Sequence, residues 1–297
     1  MRTRPTLSWT GTGEPLPRTG TVAEVAEVVA RGRVVVLSGA GLSTESGIPD
    51  YRGESGSLRR HTPMTYDEFT TSAEGRQRYW ARSHLGWRTI ARAEPNSGHH
   101  AVAALRRGGL LAGVITQNVD GLHRAAGTRG VVELHGNLDR VICLGCRRTS
   151  PREELDTRLR AANPSFGGTA TRINPDGDVE LDEDVVRTFS LVGCPACAGV
   201  LKPDVVFFGE NVPRARVERC YRLVDEASAV LVLGSSLTVM SGLRFVRHAA
   251  KTGKPVLIVN RGQTRGDACA QVRVDLPLGE ALTELVGLLG DRAGQPA

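Results

Sequence analysis

Aromatic residues are scarce in this chain, at 4% of 297 residues, so Val, Leu, Ile and Ala must supply most of any core. Lysine is scarcer still: Lys202, Lys251 and Lys254 are the only three. Arginine therefore carries nearly all of the positive charge, and the net charge of +6 reads as codon bias rather than as a nucleic-acid surface. No lysine-rich tail or long basic run supports a polynucleotide partner. No stretch approaches the ~20 apolar residues that a membrane span needs. Residues 1–20 lack the apolar segment of a secretory signal, and Pro5, Pro15 and Pro17 interrupt any amphipathic transit helix. They read as a flexible arm on a cytoplasmic protein. Cysteine is also sparse, but four of the six fall in two CxxC pairs, which points to metal rather than disulfides.

What is present alternates. A helix is predicted from Val22 to Arg31, with Val22, Val25, Ala26 and Val29 on one face and Gly32 to close it. The run Val34-Val35-Val36-Leu37 follows; a continuous apolar run reads as a strand buried on both faces of a parallel sheet. Further buried strands are expected at Leu111–Ile115, Asp204–Phe208, Ala229–Leu233 and Pro255–Val259. Helical segments at His99–Arg107, Arg214–Ala227 and Gly242–Lys251 lie between them. Strand alternating with helix means an α/β, doubly wound, Rossmann-like sheet. Two stretches break the alternation. Gly53–Pro95 is mostly helical, with Thr65 and Glu68 spaced for a capping box. Asn137–Val200 holds the CxxC cysteines. The expected division is a Rossmann-like domain from 21–52, 96–136 and 201–297, and a smaller domain built from insertions 53–95 and 137–200.

Ser38-Gly39-Ala40-Gly41-Leu42-Ser43 directly follows the first strand. Glycines there let backbone N–H groups approach a pyrophosphate at the strand end. The fingerprint is incomplete: Thr44 stands where a third glycine would be, and Arg59, Arg60 and His61 stand where a ribose-binding acid would be. A plain tight turn is the alternative. The continuation Ile48-Pro49-Asp50-Tyr51-Arg52 carries more polar equipment than a turn needs: Asp50 suits an amide, Tyr51 a ring and Arg52 a phosphate.

After the second strand comes Thr116-Gln117-Asn118-Val119-Asp120, four hydrogen-bonding side chains in five positions. A capped turn explains any one of them, but not all together. His135, beside Gly136 at the end of a short strand, should emerge at the same edge. A histidine titrates near neutrality, so His135 is the candidate general base. His123 reads as structural support, as do His61, His84 and His248. Cys143, Cys146, Cys194 and Cys197 form two knuckles with 47 residues between them. Four thiolates suit a closed tetrahedral zinc of structural type. A redox pair is the rival reading. Cys220 and Cys269 read as free thiols, and the acidic stretch around Asp176-Gly177-Asp178 as a solvated loop.

In order along the chain, these blocks resemble the signature motifs of the sirtuins. They are Gly39-Ala40-Gly41 with Ser43 and Gly47-Ile48-Pro49-Asp50-Tyr51-Arg52, Thr116 to His123, His135-Gly136, the four cysteines, Leu201 to Glu210, Gly234-Ser235-Ser236-Leu237 and Ile258-Val259-Asn260. The resemblance runs from about Val34 to Asn260. The long cysteine spacer, Tyr51 and Pro175-Asp176-Gly177-Asp178 resemble the class II branch. The resemblance implies an NAD-dependent protein lysine deacylase that consumes NAD as co-substrate and carries one structural zinc. Ala40, Gly41, Arg52, Gly234, Ser235 and Ser236 would hold the phosphates and adenosine ribose, and Gly39, Ser43 and Tyr51 would also bind the cofactor. Asn260, Arg261, Gly262 and Leu278 would line the adenine side. Ile48, Asp50 and Asn118 would form the nicotinamide pocket, with Asp120 nearby, and Gln117 and His135 would face its ribose. Asn118 and His135 would be the catalytic pair. Val205, Val206 and Phe207 would pair with an acyl-lysine peptide as an added strand. The implied products are free lysine, nicotinamide and O-acyl-ADP-ribose; mono-ADP-ribosylation of protein from the same site is the alternative.

Overall fold

The computed structural model describes residues 19–51, 63–167, 174 and 176–293. Most of the expected arm, together with Arg52, Arg59, Arg60, His61 and Pro175, lies outside them. The strands are β1 (Val34–Ser38), β2 (Leu111–Thr116), β3 (Val131–Glu133), β4 (Gly136–Cys143), β5 (Thr149–Pro151), β6 (Leu201–Val205), β7 (Ala229–Leu233), β8 (Val256–Val259) and β9 (Val272–Val274). The helices are α1 (Val22–Val29), α2 (Tyr66–Thr71), α3 (Ala73–Ala91), α4 (Ser97–Arg107), α5 (Leu122–Ala125), α6 (Arg152–Ala162), α7 (Glu183–Arg187), α8 (Arg214–Glu226), α9 (Met240–Lys251) and α10 (Leu278–Ala293).

Six strands form one parallel sheet in the order β3-β2-β1-β7-β8-β9. Every residue of β1 and β7 is buried, which is why both read as unbroken apolar runs. Successive side chains alternate in face. Val34 and Val36 pack with Val29, Leu105 and Leu282 of α1, α4 and α10; Val35 and Leu37 pack with Cys220, Phe245 and Val246 of α8 and α9. Each fully buried Val or Leu contributes about 1.5–3 kcal/mol of transfer free energy. α1 begins at a capping box between Thr21 and Glu24, and Gly32, at φ 77°, closes the turn after it. The strand order reverses between β1 and β7, and ligands of such sheets bind in the crevice beyond the strand ends at that point.

One strand assignment needs correction. The segment expected at Asp204–Phe208 in the parallel sheet is a strand from Leu201 to Val205. It pairs antiparallel with β4 in a separate sheet of order β5-β4-β6. Lys202, Pro203 and Asp204 suit the edge position that this strand holds, whereas the apolar run from Val205 to Phe208 that suggested a central strand lies at and beyond its end. Thr65 caps α2 by accepting the Glu68 N–H at 3.2 Å. The smaller lobe collects most of the rare aromatics: Phe69, Tyr79, Trp80, Phe189 and Phe207 are buried together, with Tyr66, Trp87 and Phe166 against them. Arg152 of α6 sits between the rings of Trp80 and Trp87 of α3, 5.1 and 4.8 Å from their centres, and faces Asp156 at 3.8 Å. His84 Nδ1 lies 2.8 Å from the same Asp156 oxygen. α3 and α6 are thus joined by a buried cation between two rings as well as by apolar contact.

Candidate active site and metal centre

The loops after β1 and β7 meet at the reversal point. Gly39 N–H donates to Leu233 O and Gly41 N–H to Gly234 O, both at 2.9 Å. A Cβ on Gly39 would stand 2.7 Å from that of Ser235, and one on Gly234, at φ 60°, would stand 2.5 Å from Leu42 N. Glycine is required because the two backbones touch, not only because a ligand approaches. From the β2 end, Gln117 Nε2 donates to Ser235 Oγ at 2.8 Å, tying a third loop to the same place.

Asn118 Nδ2 donates to Gly39 O (3.0 Å) and Ser43 Oγ (2.9 Å), and Ser43 donates in turn to Asp120 Oδ2 at 2.7 Å. Asp120 Oδ1 accepts the Leu122 N–H at 2.9 Å. Burial raises the Asp120 pKa, and these hydrogen bonds oppose the rise. Asn118 and Asp120 are thus joined through Ser43, and the Asn118 N–H donates to Thr116 Oγ1 at 3.1 Å. Tyr51 meets Phe208 edge to face at 6.1 Å. On the far side, Asn260 Nδ2 donates to the carbonyls of Arg261 and Gly262, and Asp275 takes the Gly262 N–H at 3.0 Å. Leu278 opens α10 beside Gly234.

His135 projects from the β3–β4 junction into this network. Its Nδ1–H donates to Gln117 O at 3.0 Å, which leaves Nε2 as the acceptor for the Ser241 hydroxyl at 2.8 Å. Burial pulls its pKa down to about 4, so it is neutral at pH 7 and Nε2 keeps a lone pair, which here accepts the Ser241 hydroxyl and which another hydroxyl would reach only by displacing it. Ser241, in the first turn of α9, carries no motif; only the fold places it on His135. Gly136 sits at φ 89°, where a Cβ would fall 1.9 Å from Asp204 O.

Val206 N–H donates to His135 O at 2.7 Å, and Phe207 N–H is taken by Glu210. These donors are engaged within the chain, so what Val206 and Phe207 offer a ligand is side chain and carbonyl. Phe207 also packs against Tyr79, whose buried hydroxyl has no hydrogen-bond partner among the described residues.

His123 lies under the site as a support. It is buried, and its Nε2–H donates to Ser38 Oγ at 2.8 Å while Ser38 donates to Thr116 Oγ1 at 2.9 Å. Its ring meets buried His99 edge to face at 5.2 Å. Burial lowers His99 to about 4 and His123 to about 3, against about 6.5 unfolded. Between those values the unfolded chain binds the extra protons. The contribution of each ring is therefore complete above pH 6.5 and is lost as pH falls. The raised carboxyl of Asp120 acts in the opposite sense. The test is the difference in unfolding free energy between wild type and His123→Gln. That difference should shrink by about 1.4 kcal/mol per pH unit from pH 6.5 to 4.5. A difference that stays flat would show that His123 is not held neutral.

The four cysteines converge at the other end of the small sheet. Their Sγ atoms lie within 4.8 Å of one another, with Cys143–Cys197 at 3.5 Å and Cys146–Cys194 at 3.8 Å. A tetrahedron with Zn–S bonds near 2.3 Å has edges of about 3.8 Å, so the set fits one zinc and leaves no open position. Arg147 and Ala198, each just after a knuckle, take left-handed conformations at φ 61° and 56° that turn the chain back over the thiols. On the order of 25 Å of strand separates Cys143 from His135. The metal is structural.

A crevice at the reversal of a doubly wound sheet, glycine-lined and fed by a polar loop and a neutral histidine, defines a nucleotide-binding α/β enzyme with an added cysteine module. The chain belongs to the Sir2 family, whose model matches residues 39–241. It is 65% identical over 297 residues to NAD-dependent protein deacetylase 1 of Streptomyces coelicolor, covering 100% of this chain and 99% of that protein. It is 52% identical over 275 residues to NAD-dependent protein deacetylase 1 of Mycobacterium avium, covering 90% and 94%. A solved complex of Sir2 with p53 peptide and NAD+ superimposes with a TM-score of 0.74 at 29% identity, covering 92% of this chain and 100% of that one. No helix among the described residues is long and apolar enough to cross a membrane.

Proposed function

We propose that this chain is an NAD-dependent protein lysine deacetylase acting on acyl-lysine side chains of proteins. The observation that carries the reading is the meeting at the sheet reversal of two hydrogen-bonded sets, Gly39–Asn118–Ser43–Asp120 and Ser235–Gln117–His135, from adjacent residues of one loop. NAD supplies a ribose with nicotinamide as leaving group. The glycine loops and Ser235–Ser236 hold its phosphates; Asn260 to Gly262 and Leu278 line the adenine side. Ile48, Asp50, Asn118 and Asp120 enclose nicotinamide. His135 Nε2 accepts the ribose hydroxyl proton, with Gln117 O fixing the tautomer and Ser241 steering the ring. Val205, Val206 and Phe207 wall the acyl-lysine. The class II assignment belongs to this reading and rests on the long cysteine spacer. A cytoplasmic location rests on four reduced, metal-ready thiols. Transfer of ADP-ribose to another acceptor is not favoured, since the relatives named above are deacetylases.

The test is incubation with NAD and a panel of acyl-lysine peptides, reading peptide mass and nicotinamide together. One nicotinamide should appear per acyl group removed. Nicotinamide release without deacylated peptide would overturn the reading.

A further inference from the structure

Lys202, one of three lysines, is a buried charge outside the network just described. It lies in β6 and is 3% exposed. Its ammonium donates to Pro203 O at 3.2 Å, to Val205 O and to Glu210 Oε2 at 3.0 Å, so all three donors are used. The same Glu210 oxygen accepts the Phe207 N–H at 2.9 Å, and Glu210 N–H returns to Phe207 O at 3.0 Å. The ammonium also stands 4.5 Å from the Phe207 ring centre. The turn is held from outside as well, by His135 O on Val206 N–H and by Tyr66 N–H on Phe208 O at 2.9 Å.

A buried ion pair is a poor stabiliser, because desolvation offsets its attraction. Burial indeed lowers the Lys202 pKa, against the pull of Glu210. What the pair does supply is geometry. One carboxylate oxygen holds both the lysine and the Phe207 amide, so the turn has one way to face.

We propose that the Lys202–Glu210 pair is a positioning device for the acyl-lysine peptide, fixing the Val206–Phe208 turn in the pose at which substrate meets His135. The inference rests on the deacetylase reading, which makes this segment the substrate wall. Neither residue touches the reacting atoms.

The test uses the full-length zinc-loaded protein. Glu210→Ala removes both contacts and should raise the peptide KM about tenfold, the scale of one lost charged hydrogen bond, with the NAD KM within about twofold. Glu210→Gln keeps an acceptor for the Phe207 N–H and should recover most of the peptide KM. If Glu210→Ala does not fold, the neutral double variant Lys202→Met with Glu210→Gln replaces it, with a peptide KM above that of Glu210→Gln expected. An unchanged peptide KM in the folded variants overturns the proposal. So does a parallel fall in kcat and in both KM-linked rates, which marks a merely structural pair. Should wild type remove no acyl group from any peptide, the deacetylase reading falls instead. Amide hydrogen exchange at Phe207 then decides the clamp: faster exchange in Glu210→Ala upholds it, and unchanged exchange overturns it.

Discussion

Replacing His135 by alanine is expected to slow deacylation by about a hundred- to ten-thousand-fold, the usual loss when a general base is removed. The structure gives this residue a fixed tautomer, with Nδ1–H on Gln117 O and Nε2 turned toward Ser241. Departure of nicotinamide needs a positioned acyl oxygen and a well-held ring, but no base. Exchange of labelled nicotinamide into NAD should therefore survive in His135→Ala better than deacylation does. Asn118→Ala and Asp120→Ala should depress both, because Asn118 bridges Gly39 O and Ser43, and Ser43 bridges to Asp120. Each variant must retain zinc and fold. Deacylation by His135→Ala at near wild-type rate would refute the assignment. His123 would then be the next candidate, although its place beneath the site on Ser38 argues for support.

The second large effect concerns the metal. One zinc per chain is expected, and Cys143→Ala should lose it together with the ordered β4–β6 sheet. Structural zinc sites supply about 10–16 kcal/mol of apparent binding free energy at neutral pH, comparable to the whole 5–15 kcal/mol stability of a domain. β6 leads directly into Val206 and Phe207, so melting this sheet removes the proposed substrate wall although Cys143 is remote from His135. Activity should therefore fall with zinc content, by metal analysis, and with protection of the Cys143 and Leu201 amides, by hydrogen exchange. Full activity in a preparation free of zinc would refute a structural role.

Much of this was legible in the chain itself. The runs at Val34 and Ala229 announced central parallel strands because burial on both faces leaves no polar position. The CxxC spacing announced the metal because each knuckle needs its two thiols one short turn apart. The crowded polar residues at Gln117, Asn118 and Asp120 announced a site because a bare turn has no use for them. Other features stayed hidden. β6 reads into the wrong sheet because the apolar run Val205–Phe208 outweighs Lys202, Pro203 and Asp204, which mark an edge strand. Ser241 belongs to no local pattern of catalytic type, and the block Leu201 to Glu210 contains Lys202 and Glu210 without showing that they pair.

Periodicity, turn chemistry and ligand spacing act over a few residues, and these the sequence determined alone: an α/β chain, a four-thiolate site, a glycine loop and His135 at a strand end. Tertiary structure decided what depends on separated segments arriving at one place. It set Gly39 against Ser235, tied Asn118 to Ser43, put Ser241 on His135 and held Phe207 by Glu210. It also set charge states, because the low pKa of His135 follows from burial that only the folded chain creates.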